Sequence, residues 1–311
     1  MSLILLVTYV SAGVFIVAVV SRFVKYASLP IHLRWELYPV AHEKGRAKYG
    51  GSYLEELDWW TKPRESSLIG ELKVMIPEIL FLAGVREHNK NHWLRSFPFH
   101  FGLYLLAGLI VLLIVGAVLE AVGIAVSREA GLAGRAIHHL TYIVGWVGLV
   151  LGLLGAIALL VRRVFNASYR EYTKKADYFN LAFFIVTFVV AVAAHGMADP
   201  YFADLRSYAG SLLMFDFDFS ARPLLAAEIV LASILVAYVP LTHMSHFFTK
   251  WFMYHGIRWS DEPAQRGGKI EGRVEQLLKH RVTWAAPHIR GDGKKNWVDV
   301  ATSDVVEDRQ Q

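Results

Sequence analysis

The chain has 311 residues, 55% of them hydrophobic and 19% charged, and its mean hydropathy is +0.36. Soluble domains carry about 25% charged residues, so this composition argues against a soluble globular enzyme. The net charge is +5 and cysteine is absent, which excludes disulfides, thiolate metal sites, covalently attached c-type haem and any iron–sulfur cluster held by this chain.

Crossing the hydrocarbon layer takes about 20 apolar residues, and five segments reach that length, over residues 3–20, 97–125, 137–161, 178–198 and 224–248. None shows the alternation of a strand. The first has no basic stretch before it and no small-residue cleavage site after it, so it reads as an anchor and not a cleaved signal peptide. Residues 68–85 are apolar but carry Glu71, Lys73, Pro77 and Glu78. They predict an interfacial or partner-facing helix kinked at Pro77.

Lysine and arginine set the orientation. The loop 21–96 holds twelve, the loop 162–177 five and the tail after His246 eleven, 28 together, whereas the loops 126–136 and 199–222 hold two each. The expected fold is an all-α integral membrane protein, a five-helix transmembrane bundle with its N-terminus outside and its C-terminus in the cytoplasm. Its parts are transmembrane helix 1 (1–21), a cytoplasmic loop with the interfacial helix (22–96), a four-helix core (97–250) and a cytoplasmic tail (251–311). The positive charge is then an inside bias and not a nucleic-acid footprint, and lipid is the expected surrounding.

Seven of the thirteen histidines lie in the loop or tail: His32, His42, His88, His92, His255, His280 and His288. Six lie near the ends of the spanning segments. On the expected topology His100, His243 and His246 lie near the cytoplasmic face, and His138, His139 and His195 near the outer face. Each set draws on two helices, as two b-type haems require when each iron takes one imidazole from each of two facing helices. Gly145, Gly148, Gly152 and Gly155 form a stripe on one face of the third segment, and His138, but not His139, continues it. The stripe serves either close helix packing or haem clearance. Glu120 and Glu228 are embedded carboxylates, and no basic residue falls within the apolar segments to pair with them. A carboxylate near an outer redox centre could accept a proton from a quinol, as could Asp199; the alternative is a protonated acid bonded to a neighbouring helix.

The segments FPFHFG (97–102) and VPLTHMSHFF (239–248) resemble the cytochrome b subunits of respiratory nitrate reductase (NarI-like). That resemblance implies an inner haem held by His100 and, six residues after Pro240, His246, with His243 as a neighbour or alternative. The positions implied for the family's other haem are Ile110 and Glu228 here, a departure, so the outer haem would instead use His138 (or His139) with His195. The long loop and the tail HRVTWAAPHIRGDGKKNWVDVATSD (280–304) are similar to the DsrM family, the membrane cytochromes b of sulfite-reduction-associated DsrMKJOP complexes, with heterodisulfide-reductase and Hme-type cytochromes b as relatives. This resemblance implies two non-covalent b haems, menaquinol or menaquinone as substrate, a cytoplasmic iron–sulfur partner of the HdrD/DsrK type docked on the loop and tail, further membrane and periplasmic subunits, and a prokaryotic inner-membrane location. Quinol protons would leave through Glu228, Glu120 or Asp199, and electrons would pass from the outer to the inner haem. Nothing in the residues sets the direction of flow. The rivals are a nitrate-reductase-like gamma subunit, a proton-relay transporter and a membrane anchor without redox function.

Overall fold

The computed structural model describes residues 2–28, 41–45, 52–63, 65–260, 262–286, 289–290 and 292–303. His32 and His288 lie outside the described residues. In chain order the helices are α1 (Leu3–Ser28), α2 (Leu68–Phe81), α3 (Ala83–His88), α4 (Lys90–Ala121), α5 (Leu132–Phe165), α6 (Ala167–Glu171), α7 (Lys175–Met197), α8 (Ala203–Met214), α9 (Pro223–Tyr238), α10 (His246–Met253), α11 (Lys269–Leu278) and α12 (Trp297–Ala301). A two-residue ladder pairs Ala285–Ala286 with Ile289–Arg290. Among the described residues five helices are long and apolar enough to span a membrane: α1, α4, α5, α7, and α9 extended to Leu241. They match the five segments read from hydropathy.

The chain divides into two compact units. The first comprises Met1–Ser21 and Glu71–Ser245. In it α4 packs on α5, α5 on α7, α7 on α9, and α8 covers α4. Phe99, Leu109, Leu113, Leu149, Phe184, Phe188 and Phe202 fill its core. A second cluster at one end joins Leu5 of α1 to Tyr208 of α8 and to Leu225 and Ile229 of α9. The other unit comprises Arg22–Gly70 and His246–Gln311. There Glu43 is buried and accepts a hydrogen bond from Ser52 Oγ at 2.7 Å, Trp259 packs on Tyr254, and Phe252 meets Phe23 and Tyr26.

Local chemistry sets the helix ends. Asn89 caps α4 by accepting from the His92 N–H at 2.9 Å, and Asp177 accepts from the Lys174 N–H at the start of α7, each satisfying a donor that the helix leaves over. Pro223 stands at the start of α9, where its missing N–H costs nothing. Two boundaries differ from the sequence reading. Residues 68–85 do not form one helix: α2 contains Pro77 and ends at Phe81, and Leu82 takes the left-handed region (φ 52°) before α3. The fifth span does not continue to residue 248. It leaves α geometry at Tyr238, and two 3-10 turns, Val239–Leu241 and His243–Ser245, follow. Pro240 lacks the N–H that the next α-helical bond needs, so His243 and His246 lie beyond the helix and not on its last turn.

Candidate functional site

The α8 end of the first unit collects the ionisable groups. His195 sits in the last turn of α7 and is fully buried. Its Nδ1 lies 2.9 Å from the backbone oxygen of Asp199, and its Nε2 lies 3.1 Å from Glu228 Oε1 on α9. A carbonyl oxygen can only accept, so Nδ1 carries a hydrogen. The contact to Glu228 then needs one more. Either His195 is an imidazolium donating to a carboxylate, or a neutral Nε2 accepts from a protonated Glu228. The remaining Glu228 oxygen, Oε2, is buried with no hydrogen-bond partner.

Asp199 forms the turn from α7 to α8. Its Oδ1 accepts from the Ala203 N–H at 2.7 Å, and its Oδ2 from the N–H groups of Asp204 and Leu205 at 3.1 and 3.3 Å. Burial pushes this carboxyl up, but the hydrogen bonds from His195 and the three backbone N–H groups outweigh it and hold it below the usual carboxylate range. Phe202 closes the turn with φ 58°. Its ring is fully buried, 4.1 Å from that of His195, and lies over Gly145, where a methyl group would strike it. Trp146 Nε1 donates to the Pro200 oxygen at 2.9 Å and fixes the turn to α5.

His138 points inward and His139 outward. The His138 ring stacks on Tyr201 at 5.0 Å, and both of its nitrogens are buried without a partner. The two carboxylates expected to be unpaired both have partners. Glu228 has His195. Glu120 accepts from Arg206 Nε of α8 at 2.9 Å, and Arg206 Nη2 donates to the Val126 oxygen at 3.0 Å. Arg206 belongs to a polar loop in the sequence, but α8 folds back and buries it against Gly116 of α4. Arg206, Tyr201 and Phe202 were not singled out from the sequence; the LRSYAG stretch at apolar spacing was the available signal.

The glycine stripe is used for packing. Gly102 of α4 rests on the Gly152 backbone, Gly155 on the backbone of Phe99, and Gly148 on Leu105 and Leu106. Ile110, the position implied for a haem ligand on α4, is 53% exposed.

At the other end of α4, His100 Nδ1 lies 2.8 Å from the Ser96 oxygen. It therefore carries the hydrogen, and the lone pair of the neutral ring is on Nε2. His243 Nε2 lies 3.4 Å from Asp177 Oδ1, and the side chain is largely exposed. His246 opens α10 in the second unit.

The nitrate reductase gamma subunit family matches residues 87–260, a little over half of the chain. The chain belongs to the nitrate reductase gamma subunit family. No curated protein shows significant similarity to it. Membership makes this gamma-subunit relative a multi-pass membrane protein and a cytochrome b-type electron-transfer subunit of a larger quinol oxidoreductase. Members bind haem b, and the residues here fit that group unevenly. A histidine whose Nδ1–H is tied to a backbone carbonyl is held in the tautomer whose lone pair is on Nε2, as at His100. At His195 that Nε2 lies 3.1 Å from Glu228 Oε1.

Proposed function

We propose that this gamma-family chain exchanges electrons between a membrane menaquinol pool and a cytoplasmic iron–sulfur subunit of the HdrD/DsrK type, in a complex with further membrane and periplasmic subunits. His100 would hold haem b, with His246 as the second ligand suggested by sequence spacing and His243 as the alternative. A b haem accepts and passes on one electron at a time. Oxidation of one menaquinol releases two electrons and two protons, and the chain's own part in that step is to take a proton. The observation that supports this assignment is Glu228 Oε2, a buried acceptor without a hydrogen-bond partner. An acceptor in that setting gains about 1–3 kcal/mol from any donor that reaches it, and a quinol hydroxyl is such a donor. Asp199 and Glu120 are weaker candidates, since backbone N–H groups and Arg206 already occupy them. The reading also places the N-terminus outside and the basic loops and tail in the cytoplasm of a prokaryotic cell, which the distribution of lysine and arginine supports.

The test is haem reduction by a menaquinol analogue, followed by stopped-flow absorbance. Glu228→Gln keeps the shape and the bond to His195 but cannot take a proton. It should slow reduction at least about tenfold, the equivalent of about 1.4 kcal/mol in barrier, at unchanged haem content. Reduction at the wild-type rate would remove Glu228 from the role. The family match itself favours a second reading, the gamma subunit of a nitrate-reductase-like complex. Mass spectrometry of the co-purifying subunits separates the two, since the first requires a partner of the HdrD/DsrK type and the second does not.

A further inference from the structure

We infer that this chain carries one b haem, and that the place where His138 and His195 would hold a second is closed by the chain's own side chains. The inference rests on the reading that the chain binds haem b.

An axial ligand must offer an imidazole nitrogen with a lone pair. His195 offers none. Nδ1–H donates to the Asp199 carbonyl at 2.9 Å, and the 3.1 Å contact between Nε2 and Glu228 Oε1 holds a proton in either protonation state. Freeing Nε2 would leave Glu228, itself 7% exposed, with neither oxygen partnered. Stranding a buried acceptor in this way costs more than an ordinary hydrogen bond returns.

The space is also taken. The Phe202 ring stands between His195 and Gly145, and the other three glycines of the stripe meet Leu105 and Leu106, Phe188 and the Phe99 backbone. At each of these glycines the chain's own atoms already stand where a side chain would be. His138 does have partnerless nitrogens, but His195 cannot complete a pair. This end of the bundle is thus a proton-holding pair, His195 and Glu228, tied to the Asp199 turn, in place of a second haem.

The test is haem stoichiometry in the full-length chain purified in detergent, by pyridine haemochrome against quantitative amino-acid analysis. One b haem per chain is expected. His195→Gln and His195→Ala should keep the wild-type haem content and reduced spectrum, whereas His100→Ala should lose the haem. Two haems per chain in the wild type, which needs no variant to fold, would overturn the inference and leave the proposed function standing. Loss of half the haem in both His195 variants would do the same. No haem at all would overturn the proposed function, and this inference with it.

Discussion

Asp199 links the turn to the buried histidine. Its carboxylate caps three N–H groups of α8, while its backbone oxygen receives Nδ1–H of His195. Because the folded protein holds this carboxyl below its ordinary value, its contribution to stability is complete above about pH 4, the usual aspartate value, and is lost as pH falls through the depressed one. Thermal unfolding in detergent should therefore show a wild-type midpoint that drops in acid more steeply than that of Asp199→Asn. At neutral pH the variant should be about 1–2 kcal/mol less stable, the cost of a lost charged cap. Equal slopes in acid would mean that the carboxylate is not what holds the turn. At this scale the sequence was informative about identity but not about pairing. His195, Glu228 and Asp199 each stood out as ionisable groups near apolar segments. Their meeting did not, because Glu228 lies 33 positions from His195 and hydropathy carries no information on which helix faces which. Arg206 was invisible for a related reason: a basic residue in a polar loop reads as solvated until α8 folds back onto α4.

The helices themselves were legible because a spanning helix is defined by composition over its whole length. Their ends were less so. The apolar run continues past Pro240, so hydropathy overshoots where the missing N–H stops the helix, and it joins α2 to α3 although Leu82 breaks them. The glycine stripe left two readings open because small residues admit either a neighbouring backbone or a ligand. The structure shows neighbours at every position. Gly102→Val should therefore force α4 and α5 apart at Gly152 and cost about 1–3 kcal/mol or more. It should be seen as a lower thermal midpoint and a smaller monodisperse fraction on size exclusion. Gly108→Ala is the control on the same helix, because its nearest atom would be Val144 Cγ1 at an ordinary 3.9 Å, and it should be neutral. If the two variants behave alike, the α4–α5 contact is looser than described.

For the molecule as a whole, 28 basic residues fall in two loops and the tail and 4 in the other two loops. Short loops rich in lysine and arginine tend to stay in the cytoplasm during insertion, and the short loop 162–177 holds five of them. A fluorescent protein fused after residue 311 should be bright in cells, and alkaline phosphatase fused there inactive. Both fused within residues 215–221 should give the opposite pattern. Reversal at both sites would invert the proposed topology and place His195 and Glu228 near the cytoplasmic face.

The contact between α1 and α8 also has a consequence for synthesis. Thr8 Oγ1 meets the hydroxyls of Tyr208 and Ser233, and Tyr208 lies 200 positions further along the chain. A ribosome adding about 5–20 residues per second takes roughly 10–40 s to cover that distance. Throughout that interval α1 waits in the bilayer without the residues that later hold it, and the Thr8 hydroxyl has only the Ile4 carbonyl of its own preceding turn to bond. That internal bond, 3.2 Å long, lets the first helix rest in lipid as a single span until the end of the bundle arrives to claim it.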